Sequence, residues 1–256
     1  MSCLRRRGRI RHSAGVQTRF VDCRPRAEYL AGHVPGAAWA DAERDLTGGE
    51  GGGRHPLPGA DSFAAWASRA GIGRGTLVVA YDSGSGWAAR LWWLLRHFGH
   101  DDAGVLSFDA WHGPLREGPE AHEAQEFMPR PRRDDVASAE ELVARLGDPR
   151  LVLVDARAPE RWRGDVEPLD PVAGRIPGAR NLPYTQAFPP PAELLEAEEL
   201  VVYCGSGVTA CVDALALTLA GRPDVRLYPG SWSEWCHRGL PLERGGPAAA
   251  GAGRSR

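Results

Sequence analysis

One pattern of residues occurs twice along the chain, and this duplication restricts the possible folds more than any other feature. Three segments of the first half have counterparts in the same order in the second half. The pairs are residues 20–24 with 153–157, 32–37 with 174–179, and 77–82 with 200–204. The loops between them differ in length. Conserved order with variable loops predicts two homologous domains rather than one large one.

Each copy alternates short runs rich in Val and Leu with stretches of helical character. This alternation predicts an α/β fold class, with two tandem domains, each a mainly parallel sheet flanked by helices. Ser138 followed by Glu140 and Glu141 indicates a capped helix start before Leu146. Helices are also expected over residues 90–98 and 211–220.

The same patterns divide the chain. The expected parts are a disordered, arginine-rich tail (1–17), a first domain (18–116), an interdomain linker rich in Pro, Glu and Arg (117–135), a second domain (136–245) and a flexible tail (246–256). The duplicated segments lie wholly inside the two expected domains.

Composition excludes several classes of protein. The chain has 256 residues, 43% of them hydrophobic, without an apolar run of membrane-spanning length. Its net charge is −2, which predicts neither nucleic acid nor a membrane as partner. All 31 basic residues are arginine, a bias typical of GC-rich bacterial genomes. The five cysteines lack zinc-ligand spacing, so reduced thiols in a cytoplasm, without a metal, are expected.

Cys204 is the residue predicted to perform chemistry. It follows the apolar run 200–203 and opens Cys-Gly-Ser-Gly-Val-Thr, after which an Ala/Leu-rich helical stretch begins. A strand, a tight loop of small residues and a helix N-terminus together direct backbone N–H groups at one point. Such a site stabilises an anionic sulfur. The matching position of the first copy is Asp82, which cannot act as a thiolate, so the first domain is expected to be non-catalytic.

These segments resemble the tandem-domain rhodanese family, the thiosulfate and 3-mercaptopyruvate sulfurtransferases. The resemblance covers residues 19–244. It is carried by the Cys204 loop, by Gly-His-Val-Pro-Gly-Ala and Gly-Arg-Ile-Pro-Gly-Ala, and by Gly-Ser-Trp-Ser-Glu-Trp at 230–235. It implies an enzyme without a cofactor, in which Cys204 takes a sulfane sulfur from a small-molecule donor, becomes a persulfide, and passes the sulfur to cyanide or a thiol.

The resemblance also implies binding residues. The substrate-binding set is the loop Gly205, Ser206, Gly207, Val208 and Thr209, together with Arg161, Arg163 and His33. His33 matches a first-domain histidine that works with the loop serine. The mercaptopyruvate-type members carry a second arginine where this chain has Leu169, and a histidine where it has Arg175. Arg163 or Arg175 is a candidate for the missing charge.

Three other functions are compatible with an α/β chain that carries a reactive cysteine. Cysteine phosphatases use Cys-x5-Arg, in which the guanidinium binds phosphate, but Ala210 occupies that arginine's position and disfavours this class. A persulfide carrier without turnover and a degenerate regulatory paralogue are the other two. The neutral Gly205 and Ser206 favour 3-mercaptopyruvate over the dianionic thiosulfate as donor, whereas Leu169 argues against a bound carboxylate.

Overall fold

The computed structural model describes residues 17–49 and 51–245. The two expected tails lie outside these residues, except for Gln17. The described chain divides into two compact units. The first unit contains the residues up to Gly51 together with His55–Asp135, and the second contains Gly52–Arg54 together with the residues from Val136 onward. A three-residue piece of the first half therefore belongs to the second unit.

The first unit is built on a four-stranded parallel sheet. Its strands are β1 (Gln17–Asp22), β2 (Ala38–Trp39), β3 (Thr76–Asp82) and β4 (Ala103–Ser107), in the order β2-β1-β3-β4. Its helices are α1 (Arg26–Ala31), α2 (Ala60–Arg69) and α3 (Trp87–His97), with a 3₁₀ turn at Phe108–Ala110. Strand β3 lies in the centre and is largely buried, which explains its nearly continuous apolar sequence.

The second unit repeats this arrangement. Its strands are β5 (Leu151–Asp155), β6 (Arg180–Asn181), β7 (Glu199–Tyr203) and β8 (Arg226–Leu227), in the order β6-β5-β7-β8, all parallel. Its helices are α4 (Ala139–Ala144), α5 (Pro159–Arg163), α6 (Ala192–Leu195), α7 (Ala210–Leu219) and α8 (Ser231–His237), with a 3₁₀ turn at Tyr184–Gln186. The predicted fold class, two parallel α/β domains, is confirmed.

Matching positions of the two units make the same buried contacts. Arg24 binds the Asp22 carboxylate and the Gly32 carbonyl, with nitrogen–oxygen distances of 2.6 and 2.7 Å. Arg157 binds Asp155 and the Gly174 carbonyl at the same 2.6 and 2.7 Å. A buried guanidinium is tolerable only when paired and hydrogen-bonded in this way. Each pair ties the end of the first long strand to the Gly-x-x-Pro-Gly-Ala segment, which explains why both copies keep these residues.

One buried hydrophobic cluster forms the core of the second unit. Leu142, Leu153, Ile176, Val201, Tyr203, Trp232 and Trp235 belong to one buried cluster. Helix α4 begins as predicted, because the Ser138 side chain accepts a hydrogen bond from the Glu141 N–H. Helix α7 is buried along most of its length, and it is apolar apart from a few residues. Both predicted helices after the loops are present, within three residues of the expected bounds.

Residues 117–135, expected to be an interdomain linker, group with the first unit. The Gln125 N–H donates to the Ser68 carbonyl, and the Arg130 N–H donates to the Phe98 carbonyl. These bonds hold the segment against the helices of the first unit. Among the described residues, none of the helices has the length and apolar character needed to cross a membrane.

Candidate active site

Cys204 lies directly after β7, at the carboxyl edge of the second parallel sheet. Its side chain is 2% exposed, and α7 begins six residues later at Ala210. The intervening residues 204–209 are called the catalytic loop below. The Gly207 N–H donates to the Cys204 Sγ at 3.1 Å, and Gly207 has a φ of +78°. A side chain would be strained at this φ, so glycine is needed to turn the N–H back onto the sulfur.

Helix α8 fixes the orientation of the catalytic loop. The N–H groups of Trp232 and Ser233, in its first turn, donate to the carbonyls of Cys204 and Gly205 at 3.0 and 2.9 Å. In a trans peptide the carbonyl and the following N–H point in opposite directions. Because these two carbonyls face α8, the N–H groups of Gly205 and Ser206 point away from it. The loop therefore presents N–H groups on the side opposite α8.

Ser231 holds the first residue of the loop. Its Oγ accepts from the Cys204 N–H at 3.1 Å and donates to the Tyr228 carbonyl at 3.0 Å. Ser231 is fully buried and has a φ of +52°, the one positive φ of a non-glycine residue in the described chain. Such a conformation is uncommon and is a recurrent feature of functional sites. The Gly-Ser-Trp-Ser-Glu-Trp motif thus positions the loop, a role that its sequence does not reveal.

Four charged side chains lie beside the catalytic loop. Arg161 binds Glu167 with Nη2 at 2.6 Å and Nε at 3.2 Å. Its Nη2 also lies 3.7 Å from Oδ2 of Asp170. Arg54 donates from Nη1 to the same Asp170 carboxylate. We call Arg54, Arg161, Glu167 and Asp170 the arginine cluster. Both acids are almost fully buried, whereas Arg54 and Arg161 are 29% and 17% exposed.

Glu167 of this cluster is held in its charged form. Burial alone raises the pKa of Glu167, but the hydrogen bond and charge of Arg161, with help from the Leu169 N–H and Arg157, lower it below its usual value. The carboxylates of Glu167 and Asp170 pair with the guanidinium groups of Arg161 and Arg54 and fix the directions of these side chains. The cluster is therefore a rigid cationic surface over buried counter-ions.

The two guanidinium groups converge on Gly205. A Cβ added to Gly205 would lie 2.9 Å from Nη2 of Arg54, and 3.4 and 3.5 Å from Nη2 and Nη1 of Arg161. Both cations therefore border the residue that follows Cys204. Sequence reasoning identified Arg161 but missed Arg54, which is 150 residues from Cys204 in the sequence. The only signal was the glycine run 51–53, which allows a close approach of backbone.

The other arginines named from the sequence have different surroundings. Arg163 pairs with Asp165 at 2.7 Å, and Arg175 pairs with Glu243 while its guanidinium stacks 4.1 Å above the Trp162 ring. Both line a cavity of about 470 Å³ that Cys204 does not line. Leu169 is 63% exposed. Neither Arg163 nor Arg175 is brought to the catalytic loop by the contacts of these residues.

His33 is fully buried in the first unit. Its ring stacks on Tyr29 with centroids 4.1 Å apart, and Nδ1 lies 2.8 Å from the Tyr29 carbonyl. Its Nε2 lies 3.6 Å from a Glu120 carboxylate oxygen. These contacts lie within its own unit, and Nε2 has no hydrogen-bond partner among the described residues. A part for His33 in binding the substrate stays a prediction.

A buried acid that sequence reasoning did not single out lies behind the catalytic loop. Asp213, on α7, is fully buried, and neither carboxylate oxygen has a hydrogen-bond partner among the described residues. Burial raises the pKa of Asp213 well above its ordinary value, and the negative charges of Cys204 and Asp155 add to the shift. The side chain is therefore held neutral. Its signal in the sequence was a lone acid within the apolar helix 210–219.

The contacts of Cys211, and those of the one group of possible metal ligands among the described residues, assign both to structural roles. Cys211 donates from Sγ to the Gly207 carbonyl at 3.3 Å, which supports the catalytic loop from the helix side. Asp170, Cys236 and His237 have ligand atoms within 4.8 Å of one another. Because the Asp170 carboxylate already pairs with Arg54 and Arg161, we assign it to the arginine cluster rather than to a metal.

Comparison with known proteins decides the family. The sequence profile of the rhodanese-like domain family matches residues 9–113 and 138–238, which together form most of the chain. The chain belongs to the rhodanese family. The predicted resemblance is thereby confirmed, as is the prediction that the protein is an enzyme of the sulfurtransferase class.

Similar proteins are named for two sulfur donors. A probable 3-mercaptopyruvate sulfurtransferase of Pseudomonas aeruginosa is 44% identical over 81% of this chain and 82% of its own. A putative thiosulfate sulfurtransferase, SseB, of Mycobacterium tuberculosis is 37% identical over 82% of each. The crystal structure of SseA from Escherichia coli, named as a 3-mercaptopyruvate sulfotransferase, superimposes with a TM-score of 0.72 at 29% identity, covering 84% of this chain and 92% of the other.

Proposed function

We propose that this rhodanese-family chain transfers a sulfane sulfur from 3-mercaptopyruvate or thiosulfate through a persulfide on Cys204. The observation that carries the proposal is the Cys204 sulfur, which receives the Gly207 N–H at 3.1 Å beside two arginines. A nucleophilic sulfur, N–H groups that stabilise negative charge, and cations that bind an anionic donor are the parts that this reaction requires.

The reaction divides into two displacements. The Cys204 thiolate attacks the outer sulfur of the donor, a new S–S bond forms, and the donor's bond to that sulfur breaks. Thiosulfate then leaves as sulfite, whereas 3-mercaptopyruvate leaves as the enolate of pyruvate, which takes up a proton. Cyanide or a thiolate attacks the outer sulfur of the persulfide, and the Cys204 thiolate is regenerated. No electron acceptor or cofactor is required.

Helix α8 and the catalytic loop support both steps. The carbonyls of Cys204 and Gly205 are bound to α8, so they do not face the negative charge of the persulfide. N–H groups that point toward developing charge, and that need no reorganisation, lower the barrier of such a transfer. Asp213, held neutral behind the loop, adds no repulsion to the anionic sulfur.

The donor is expected to be 3-mercaptopyruvate rather than thiosulfate. Gly205 and Ser206 place no cationic side chain in the catalytic loop, and a sulfonate dianion gains more from such charges than a carboxylate does. Relatives named for each donor resemble the chain to a similar degree. The ratio of kcat/KM for the two donors, with cyanide as acceptor, tests this expectation, and a tenfold preference for thiosulfate would overturn it.

The proposed activity is tested by intact mass and by turnover. After incubation with either donor and removal of excess donor, the protein should gain the mass of one sulfur, and addition of cyanide should release thiocyanate over many cycles. Cys204→Ser should lose the added sulfur and reduce turnover by more than about 10³-fold. Cys23→Ser and Cys236→Ser are matched controls that should retain most activity.

The alternatives give different results in the same experiment. A persulfide carrier would gain one sulfur from a protein donor but would not turn over with small donors. A degenerate regulatory paralogue would do neither. Substantial turnover by Cys204→Ser would show that another group carries the sulfur. The cytoplasmic location stays a prediction, drawn from the reduced cysteines.

A further inference from the structure

Residues 52–54, which belong to the second unit, approach the backbone of that unit unusually closely. A Cβ added to Gly53 would lie 2.7 Å from the Gly230 carbonyl oxygen and 3.1 Å from the Ser233 Oγ. The Arg54 N–H donates to that same Ser233 Oγ at 3.1 Å. Contacts this short admit only glycine. Residues 52–54 are thus fixed against the start of α8, the helix that also orients the catalytic loop.

The Arg54 side chain is directed by a buried acid. Its Nη1 binds Asp170, whose carboxylate is fully buried and also faces Arg161. Its Nη2 faces Gly205, because a Cβ at Gly205 would be 2.9 Å from that nitrogen. One edge of the guanidinium is therefore anchored, and the other borders the residue next to Cys204. A planar guanidinium anchored at one edge is suited to bind an anion at another.

Arg161 is arranged in the same way from the other direction. Glu167 holds its Nε and Nη2, and the guanidinium lies 3.4–3.5 Å from the same point beside Gly205. Two like charges brought together over one glycine repel each other, and the buried acids Asp170 and Glu167 offset that repulsion. An anion held between the two guanidinium groups would bind to both, with charge-assisted hydrogen bonds.

On these observations we propose that Arg54 is a donor-binding residue, which binds the anionic group of the sulfur donor jointly with Arg161. The proposal rests on the proposed function, and it assigns the second cation to a residue outside the expected segment, since Leu169 is exposed and uncharged. The ligand is a small carboxylate or sulfonate whose transferable sulfur lies within a few bonds of its charge.

The proposal separates the two halves of the reaction. Loading of Cys204 uses the anionic donor and therefore Arg54. Discharge of the loaded persulfide to dithiothreitol uses an uncharged acceptor and does not need it. Arg54→Ala should lower the second-order rate constant of loading by about 10- to 150-fold, with a raised KM for the donor, and leave the rate of discharge unchanged. Arg54→Lys keeps the positive charge but loses the paired N–H donors of the guanidinium, so its rate constant of loading should be intermediate.

The matched control is Arg44→Ala. Arg44 also pairs with an aspartate, Asp45, but it is 64% exposed and lies in the first unit. Each protein is loaded with either donor under single-turnover conditions and followed by intact mass. It is then freed of donor, and discharge to dithiothreitol is measured on the same sample. An unchanged discharge rate also shows that the variant has folded.

The outcomes distinguish this proposal from the proposed function. Slow loading with normal discharge in Arg54→Ala, but not in Arg44→Ala, supports it. Loading of Arg54→Ala at the wild-type rate overturns the role of Arg54 and leaves the sulfurtransferase activity intact. Equal slowing of loading and discharge also overturns it, because the residue is then structural. A wild-type protein that gains no sulfur overturns both proposals.

Discussion

The loops after β3 and β7 occupy the same place in two matching sheets, yet their backbone N–H groups have different hydrogen-bond acceptors. In the first unit the Asp82 carboxylate accepts hydrogen bonds from the Gly84 N–H, the Ser85 hydroxyl and the Ala88 N–H, at 3.0, 2.8 and 3.0 Å. In the second unit the Cys204 sulfur accepts the Gly207 N–H at 3.1 Å. The first loop binds its own side chain where the second can bind a ligand.

Under the proposed function, this difference explains how one fold gives both a non-catalytic and a catalytic copy. A carboxylate at the end of the strand has two strong acceptor oxygens on a short side chain. It therefore binds the N–H donors at the start of its own helix. A thiol is a weak acceptor and leaves that terminus available to a larger anion. Asp82 was expected to repel an anionic ligand, and the structure adds that its oxygens occupy the donors as well.

The helices after the two loops differ in one buried side chain, and the largest effect on stability is expected there. Nine residues after Asp82, α3 has the buried Leu91, whereas nine residues after Cys204, α7 has the buried Asp213. The raised pKa of Asp213 means that the folded protein keeps a proton that the unfolded chain releases. Stability therefore falls as pH rises from the unfolded value of about 3.9, by up to about 1.4 kcal/mol per pH unit, until Asp213 ionises in the folded state.

Asp213→Asn and Asp213→Leu should remove this contribution, so that the free energy of unfolding declines less between pH 5 and pH 8 than in the wild type. Urea unfolding at several pH values measures it. Glu193→Gln, which removes an exposed acid from α6, is the control and should leave the pH dependence unchanged. Identical slopes for Asp213→Asn and the wild type would mean that Asp213 is ionised or hydrated in the folded protein.

Replacing Asp82 or Cys204 with alanine should affect stability to different degrees, because only the Asp82 side chain binds several donors of its own loop. Asp82→Ala leaves the buried Ala88 N–H, the Gly84 N–H and the Ser85 hydroxyl without their acceptor, so we expect a loss of about 2–3 kcal/mol in the free energy of unfolding. Cys204→Ala removes a small side chain and one weak acceptor, and should cost about 1 kcal/mol. Denaturant unfolding of both variants gives the comparison. Equal costs would contradict the view that only the first loop is closed by its own side chain.

Local pattern and duplication were enough to predict the sheets, the helices after the loops and the place of Cys204 at the end of a strand. These features depend on residues that are near in sequence, such as the apolar run 200–203 followed by small residues. Arg54 and Ser231 could not be predicted, because their roles depend on contacts with Gly205 and Cys204 across 151 and 27 residues of sequence. The hydrogen bonds from residues 117–135 to α2 and α3 could not be predicted either, because the polar composition of this segment does not show where its backbone binds.

The third difference between the units lies beyond the last strand, where a short 3₁₀ turn at Phe108–Ala110 corresponds to the helix α8. Ser231 begins α8, and its hydroxyl links the Cys204 N–H to the Tyr228 carbonyl. Ser231→Ala removes both bonds from a buried site and should cost about 1–2 kcal/mol of stability. It should also lower kcat by a few-fold, because the loop loses one of its fixed points.

The positive φ of Ser231 supplies the control for this prediction. Ser231→Gly removes the same hydroxyl but adopts a φ of +52° without the steric cost that a Cβ incurs. The glycine variant should therefore be the more stable of the two by about 0.5–1 kcal/mol, whereas both should lose kcat to a similar degree. Thermal unfolding and steady-state kinetics on the two proteins separate the backbone effect from the hydrogen bonds. If Ser231→Ala were as active as the wild type, the bond to Cys204 would contribute to folding alone, and the remaining contacts from Trp232 and Ser233 would be enough to orient the catalytic loop.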